Sequence, residues 1–182
     1  MRIVSGQHRG RTIHPPRGFS ARPTTDFAKE ALFNIIAGRF DMEDICALDL
    51  FSGTGSISFE LASRGCRSVD SVEVSFAHHA FIQKTAQQLQ LARLRCYRMN
   101  AFAYLSACRT PYDLIFADPP FDLGGGVEKV HATVFARQLL TPRGWLVLEH
   151  PKGKDLSGLD HFKEQRSYGS VNFSIYEQKK IG

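Results

Sequence analysis

The chain has 182 residues, 43% hydrophobic and 23% charged, the profile of one ordinary globular domain long enough for a sizeable core. No apolar run approaches the ~18 residues that span a bilayer, the opening MRIVSGQHRGR lacks a secretory h-region, and Cys46, Cys66, Cys96 and Cys108 form no CxxC pair, so a cytoplasmic protein with reduced thiols is expected. The net charge of +5 sits entirely before Asp26, where Arg2, Arg9, Arg11, Arg17 and Arg22 meet no acid, while the rest balances at 18 basic and 18 acidic residues.

That first segment, residues 1–25, reads as a basic arm on a neutral body spanning 26–182. A compact arginine cluster suits a polyanion, since guanidinium forks match phosphate; a merely solvated extension is the plain alternative. Ile3 to Gly6 and Arg9 to Ile13 read as two short strands about a turn, followed by a Pro15-Pro16 and Gly18 loop. Thr24, Thr25 or Asp26 then caps a helix in which Phe27, Ala28, Ala31, Leu32, Ile35 and Ile36 recur at helical spacing, with a stop at Gly38.

From there strands and helices alternate. Strands are expected at Cys46 to Phe51, Ser68 to Val74, Leu94 to Met99, Tyr112 to Ala117 and Trp145 to Glu149. The helices between them run Ser56 to Ser63, Phe76 to Leu91, Ala101 to Cys108 and Val127 to Leu140. Phe162 to Tyr168 and Val171 to Glu177 flank Gly169-Ser170, a hairpin signature. This order predicts an α/β fold: a mostly parallel seven-stranded sheet with a C-terminal antiparallel hairpin. Ligands on such sheets bind beyond the carboxyl ends of the strands.

Four strand-end loops carry the chemistry. In LDLFSGTGS, Gly53 and Gly55 let a backbone approach a ligand, but no Gly-Lys-Ser/Thr follows and Ser58 stands where a dinucleotide fingerprint has its third glycine. Asp49 suits a cationic ligand better than a pyrophosphate, and a tight structural turn is the competing reading. Glu73 lies 20 residues beyond Gly53, the spacing of a ribose-binding acid, or is a solvated strand-end glutamate. Asn100 and the Ala101 amide are placed to read an adenine edge, although Asn before a helix is also a good N-cap.

The fourth loop is IFADPPFDLGGG. A buried strand ends in Asp118, and Pro119 and Pro120 fix the next two positions and lack N–H donors, leaving carbonyl acceptors rigidly aimed. Phe121 offers a ring on which a base can stack, worth about 1–3 kcal/mol. Acceptors beside a stacking ring make a receptor for a planar group bearing an amine; a proline stop before a helix is the alternative.

DLFSGTG, VEV and DPPF in this order resemble the class I S-adenosylmethionine-dependent methyltransferases, which have a Rossmann-like fold and modify exocyclic amines of nucleobases. With RIVSGQHRGR and RPTTDFAKEALFN the resemblance narrows to the RsmD-type family, guanine-N2 methyltransferases of 16S ribosomal RNA, over nearly the whole chain. It implies S-adenosylmethionine held by Asp49, Phe51, Gly53, Gly55, Glu73, Val74, Asn100 and Ala101. Asp118, Pro119, Pro120 and Phe121 would act on the target base, with no metal required. RNA would be bound by Arg2, Arg9, Arg11, Arg17, Arg22 and Lys29. Two positions depart from the pattern: Lys29 stands in place of an arginine, and Asn100 where the class often carries an acid. The small ribosomal subunit is the expected partner and a monomer the expected state.

Other readings compete. A DNA adenine-N6 methyltransferase could use the same residues, but the chain has no separate module for reading duplex sequence. A nucleotide-dependent oxidoreductase is disfavoured by Ser58 and DPPF, and a non-catalytic RNA-binding protein by the intact motif set. No GxSxG supports hydrolase chemistry; His78-His79 is expected to face solvent, and Trp145 to be core.

Overall fold

Seven strands form one sheet in the order β3-β2-β1-β4-β5-β7-β6 in the computed structural model, which describes residues 1–19, 24–121 and 123–179. They are β1 (Cys46–Leu50), β2 (Ser68–Glu73), β3 (Leu94–Arg98), β4 (Tyr112–Ala117), β5 (Leu140–Pro151), β6 (Phe162–Tyr168) and β7 (Val171–Glu177). The first five are mutually parallel, and β7 and β6 add an antiparallel pair at one edge. The expected architecture is therefore the observed one.

Side-chain alternation divides this sheet into two buried faces. One carries Leu48, Leu50, Ile115, Ala117, Leu146 and Leu148, covered by α4 (Ala101–Ala107) and α5 (Gly126–Ala136). The other carries Ala47, Leu114, Phe116, Trp145 and Val147 beneath α1 (Asp26–Arg39), α2 (Ser56–Ser63) and α3 (Phe76–Gln88). Trp145 is core, as expected.

Local chemistry sets the helix starts. The Thr25 hydroxyl accepts from Ala28 N, the Ser75 hydroxyl from His78 N, and Asn100 Oδ1 from Phe102 N and Ala103 N, each satisfying orphan donors of a first turn. Helix α1 runs through Gly38 rather than stopping there, because Phe40 N still reaches Ile36 O at 2.9 Å. Its buried stripe is Ala28, Lys29, Leu32, Phe33 and Ile36; Phe27, expected in it, lies outside. Strand β5 starts five residues before Trp145. Thr141-Pro142-Arg143-Gly144 reads as a breaker, yet it forms an irregularity in the β4–β5 pairing, where Gly144 packs against Thr141 and Tyr112 carbonyls.

The arm forms a bridged loop rather than two strands, with Arg2 opposite Thr12 and Ile3 N bonded to Arg11 O at 2.9 Å. Ile3 and Ile13 join the core. Helix α2 anchors the loop: Glu60 accepts from Val4 N at 2.7 Å and Ser5 N at 3.0 Å, and Ser63 O accepts from Gln7 N at 2.7 Å. Gly6 has φ +82, and a Cβ there would meet Ser63 O at 1.9 Å, so the close approach requires glycine.

Lys29 needs a correction. Expected at the RNA surface, it is 1% exposed, and its Nζ donates to Arg2 O at 2.6 Å and Ser56 Oγ at 3.1 Å. Glu60 and Asp26 carboxylates lie 3.9 and 3.7 Å away. Burial pushes its pKa down while both acids oppose the shift. This ammonium ties the arm to the start of α2 and is out of reach of RNA phosphate. Arg2, Arg9, Arg11 and Arg17 are exposed and form no ion pair among the described residues; Arg22 lies outside those residues.

Candidate active site

A cleft of about 540 Å³ opens at the carboxyl ends of β1, β2, β4 and β5, on the α1–α3 face. Asp49, Phe51, Gly53 and Glu73 line it together with Asp118, Pro119, Pro120 and Phe121. The glycine loop and the DPPF loop, separate in sequence, thus share one space. Gly55, Val74, Asn100 and Ala101 do not line it.

The glycine loop is a strained turn. Phe51 adopts φ 58, a left-handed conformation uncommon for an aromatic residue. Gly55 N donates to Ser52 O at 2.7 Å, and Ser52 Oγ donates to Asp49 O at 2.8 Å. Gly55 itself is the left-handed N-cap of α2. A Cβ there would come within 2.9 Å of Phe59 and Ile82, so its role lies in packing the loop against α2 and α3. Glu73 spans the loop from the next strand, with Oε2 accepting from Gly53 N and Oε1 from Ser75 N, both at 2.8 Å. The carboxylate fixes Gly53 and still has lone pairs to offer a hydroxyl donor.

Asp49 is 1% exposed. The Ser58 hydroxyl donates to its Oδ2, which accounts for a serine at a position that dinucleotide folds give to glycine. Burial pushes the Asp49 pKa up to about 7, against the pull of these hydrogen bonds. Asp118 is pushed up to about 8, first by burial, then by the negative charges of Glu149 and Asp49. Glu149 lies at the end of β5, 4% exposed, and accepts from the Thr24 hydroxyl at 2.7 Å. Three carboxylates converge on the cleft, Asp49 and Glu149 buried and Asp118 half-buried. Such a site disfavours an anion and rewards a cation, which offsets the repulsion and the lost hydration. The lining therefore fits the sulfonium and ammonium of S-adenosylmethionine.

The chain matches the family model described as conserved hypothetical protein 95 over residues 1–177. It is 34% identical over 191 aligned positions to ribosomal RNA small subunit methyltransferase D of Escherichia coli (strain K12), covering 100% of this chain and 92% of that protein. The chain belongs to the RsmD-type family. Putative rRNA methyltransferase YlbH of Bacillus subtilis (strain 168) is 31% identical over 186 positions, covering 98% of this chain and 100% of that one. A solved structure, the putative methyltransferase yhhF from Escherichia coli, superposes with a TM-score of 0.86 at 26% identity, covering 99% of this chain and 98% of the other.

Within this RsmD-type site, several residues escaped sequence reasoning. His78 does not face solvent: its ring lines the cleft, its Nδ1 lies 3.8 Å from Glu73 Oε1, and Phe19 of the arm packs on it at 4.5 Å. Glu149 repeats the signature of Asp118, an acid ending an apolar strand (WLVLE), and was legible by the same rule. Thr24, Thr25 and Tyr168 to Val171 also line the cleft; no local motif marks them, because tertiary packing brings them there. Asn100 uses its Oδ1 to cap α4, the simpler of its two readings.

Proposed function

We propose that this chain transfers the methyl group of S-adenosylmethionine to the exocyclic N2 of a guanine in 16S ribosomal RNA of the small subunit. The observation that carries the reading is the shared cleft, in which Asp118 and the DPPF turn face the glycine loop and Glu73. The full-length similarity to a protein named ribosomal RNA small subunit methyltransferase D supports the substrate. A ribosomal substrate also suits a cytoplasmic protein.

S-adenosylmethionine supplies an electrophilic methyl on a positive sulfur. Glu73 would accept from the ribose hydroxyls, the Gly53 turn would leave room for the methionine portion, and Asp49 would face the ligand's positive groups. The Asn100 side chain and the Ala101 amide would read the adenine edge, with Phe51 and Val74 also holding the cofactor. Asp118 and the Pro119 carbonyl accept the two amine hydrogens of guanine. These acceptors orient the nitrogen and stabilise the charge it gains, an effect typically worth ~2.7–4 kcal/mol per preorganised group by analogy with oxyanion donors. Holding the amine nitrogen at roughly 3–3.5 Å from the methyl carbon it attacks, in line with the leaving sulfur, would contribute more. Asp118 need not be a strong base, because an aminium on a purine is very acidic. Phe121, 61% exposed, stacks on a base that has left its own stack. The arm, residues 1–25, supplies affinity for phosphate through Arg2, Arg9, Arg11, Arg17 and Arg22 with little sequence choice.

Transfer of labelled methyl to small subunits, free 16S RNA and DNA, followed by digestion to nucleosides, tests this. N2-methylguanosine from subunits or RNA alone is the expected product. N6-methyladenine from DNA would keep the site chemistry and overturn the substrate.

A further inference from the structure

Phe27 breaks the rule that its own helix obeys. Its spacing places it in the apolar stripe of α1, yet its side chain is 70% exposed, beside Ala28 at 1%. Positions where a strong local pattern fails are where function is expected. Phe76 is as exposed, at 69%, but the Arg98 guanidinium lies over its ring at 5.6 Å. Among the described residues, the one ring that Phe27 meets is that of Tyr168, at 6.2 Å and 78°. A perpendicular pair leaves at least one face of each ring uncovered by the other. Tyr168 itself lines the Asp118 cleft, and so do Thr24 and Thr25, which lead into Phe27. The pair therefore stands on the rim of the cleft.

We propose that Phe27, held by Tyr168, is a stacking platform for an unpaired nucleotide that flanks the target guanine in the RNA. This rests on the function proposed above and adds a second base-binding position outside the catalytic pocket. Charge argues for RNA over a protein partner. All of the chain's formal excess of +5 precedes Asp26, in the segment that runs directly into this helix. On the same wall Val171 pairs with both Tyr168 and Pro151, and Pro151 is followed by exposed Lys152. An aromatic face between basic flanks is how single strands are held without sequence reading. A guanine drawn into the DPPF pocket must break its stack with a neighbour, and Phe27 replaces the lost stacking partner.

The test uses the full chain and whichever ribosomal substrate the wild type methylates. Phe27→Ala, at an exposed position, should raise KM for RNA about tenfold, leaving kcat and KM for S-adenosylmethionine unchanged. Phe27→Tyr should restore the wild-type value. A photoreactive benzoyl-phenylalanine at position 27 should attach to a nucleotide adjacent to the methylated guanine. An unchanged KM for RNA in Phe27→Ala, or attachment to a ribosomal protein or a distant nucleotide, would overturn the platform. A wild type inactive on every ribosomal substrate overturns the function reading and the platform together, whereas an active wild type isolates the platform.

Discussion

Asp118 and Glu149 stand side by side at the ends of neighbouring parallel strands. Strands β4 and β5 pair Ala117 with Leu148, and each carboxylate follows one residue later. With Asp49 on β1, they gather three carboxyl groups on one cleft, two of them buried. The folded-state values of about 7 for Asp49 and about 8 for Asp118 lie above their ordinary 3.8. The folded protein therefore holds more protons than the unfolded chain between those limits. The stability this contributes is full below the ordinary carboxyl range and lost as pH rises through about 7 to 8. We expect the melting temperature of the ligand-free protein to fall over that window, and Asp118→Asn to flatten the fall. Thermal melts across pH check this; a profile identical in both proteins counts against it.

A cation entering the cleft reverses the argument. It favours an ionised Asp49, the acid that faces the ligand's positive groups, pulls its value down and expels a proton into solvent. Cofactor affinity should therefore rise with pH up to about 7. Calorimetry in two buffers of different ionisation enthalpy should detect proton release. Binding heats independent of the buffer would mean that Asp49 is already ionised before the ligand arrives.

Asp118→Ala should lower methyl transfer by about 10²–10³-fold, the typical loss for one preorganised charge-stabilising group, with cofactor binding nearly retained. Parallel loss of both would make Asp118 a structural residue instead. Glu73→Ala should behave in the opposite way, weakening cofactor binding first, since it removes the carboxylate that fixes Gly53 and Ser75 amides.

The Lys29 ammonium lies among Arg2 O, Ser56 Oγ, Asp26 and Glu60. Lys29→Met leaves Glu60, which is 0% exposed, with Arg64 as its remaining cation. Breaking a buried pair of this kind costs roughly 3 kcal/mol. Urea unfolding should report that loss, and the double variant Lys29→Met, Glu60→Gln should recover part of it. Equal stability of wild type and Lys29→Met would remove this ammonium from the joint between arm and core.

Arg9→Ala with Arg11→Ala should weaken RNA binding and reduce its salt dependence, by a slope of about 0.7–0.9 for each phosphate no longer neutralised. Both side chains are exposed, so stability should not change. Unchanged salt slopes would take these arginines out of the RNA interface.

Most strands and helices were legible because their signals are local and redundant. Ser56–Ser63, Tyr112–Ala117, Phe162–Tyr168 and Val171–Glu177 appear with the bounds expected from apolar runs and turn residues. The start of β5 was not, since Pro142 and Gly144 look like a turn unless Tyr112 is known to lie beside them. In the site, Asp49, Gly53, Glu73 and Asp118 announced themselves by ending apolar strands or opening a helix. Lys29 and His78 misled for one reason: whether a polar helix residue meets water or a carboxylate depends on what packs over it. At Lys29 that cover is the arm, and at His78 it is Phe19.

Glu60 and Ser63 meet their arm partners across 55 to 58 positions of chain. The arm, made before α2, must therefore wait for that helix before it can dock. Strand β1 waits longer, because its second neighbour, β4, begins only at Tyr112. Such order places a late, long-range closure on the folding route. Until then the arginine-rich arm travels unsecured beside a particle made largely of RNA, and its prompt capture by α2 is what separates a folding intermediate from a basic peptide bound to its own factory.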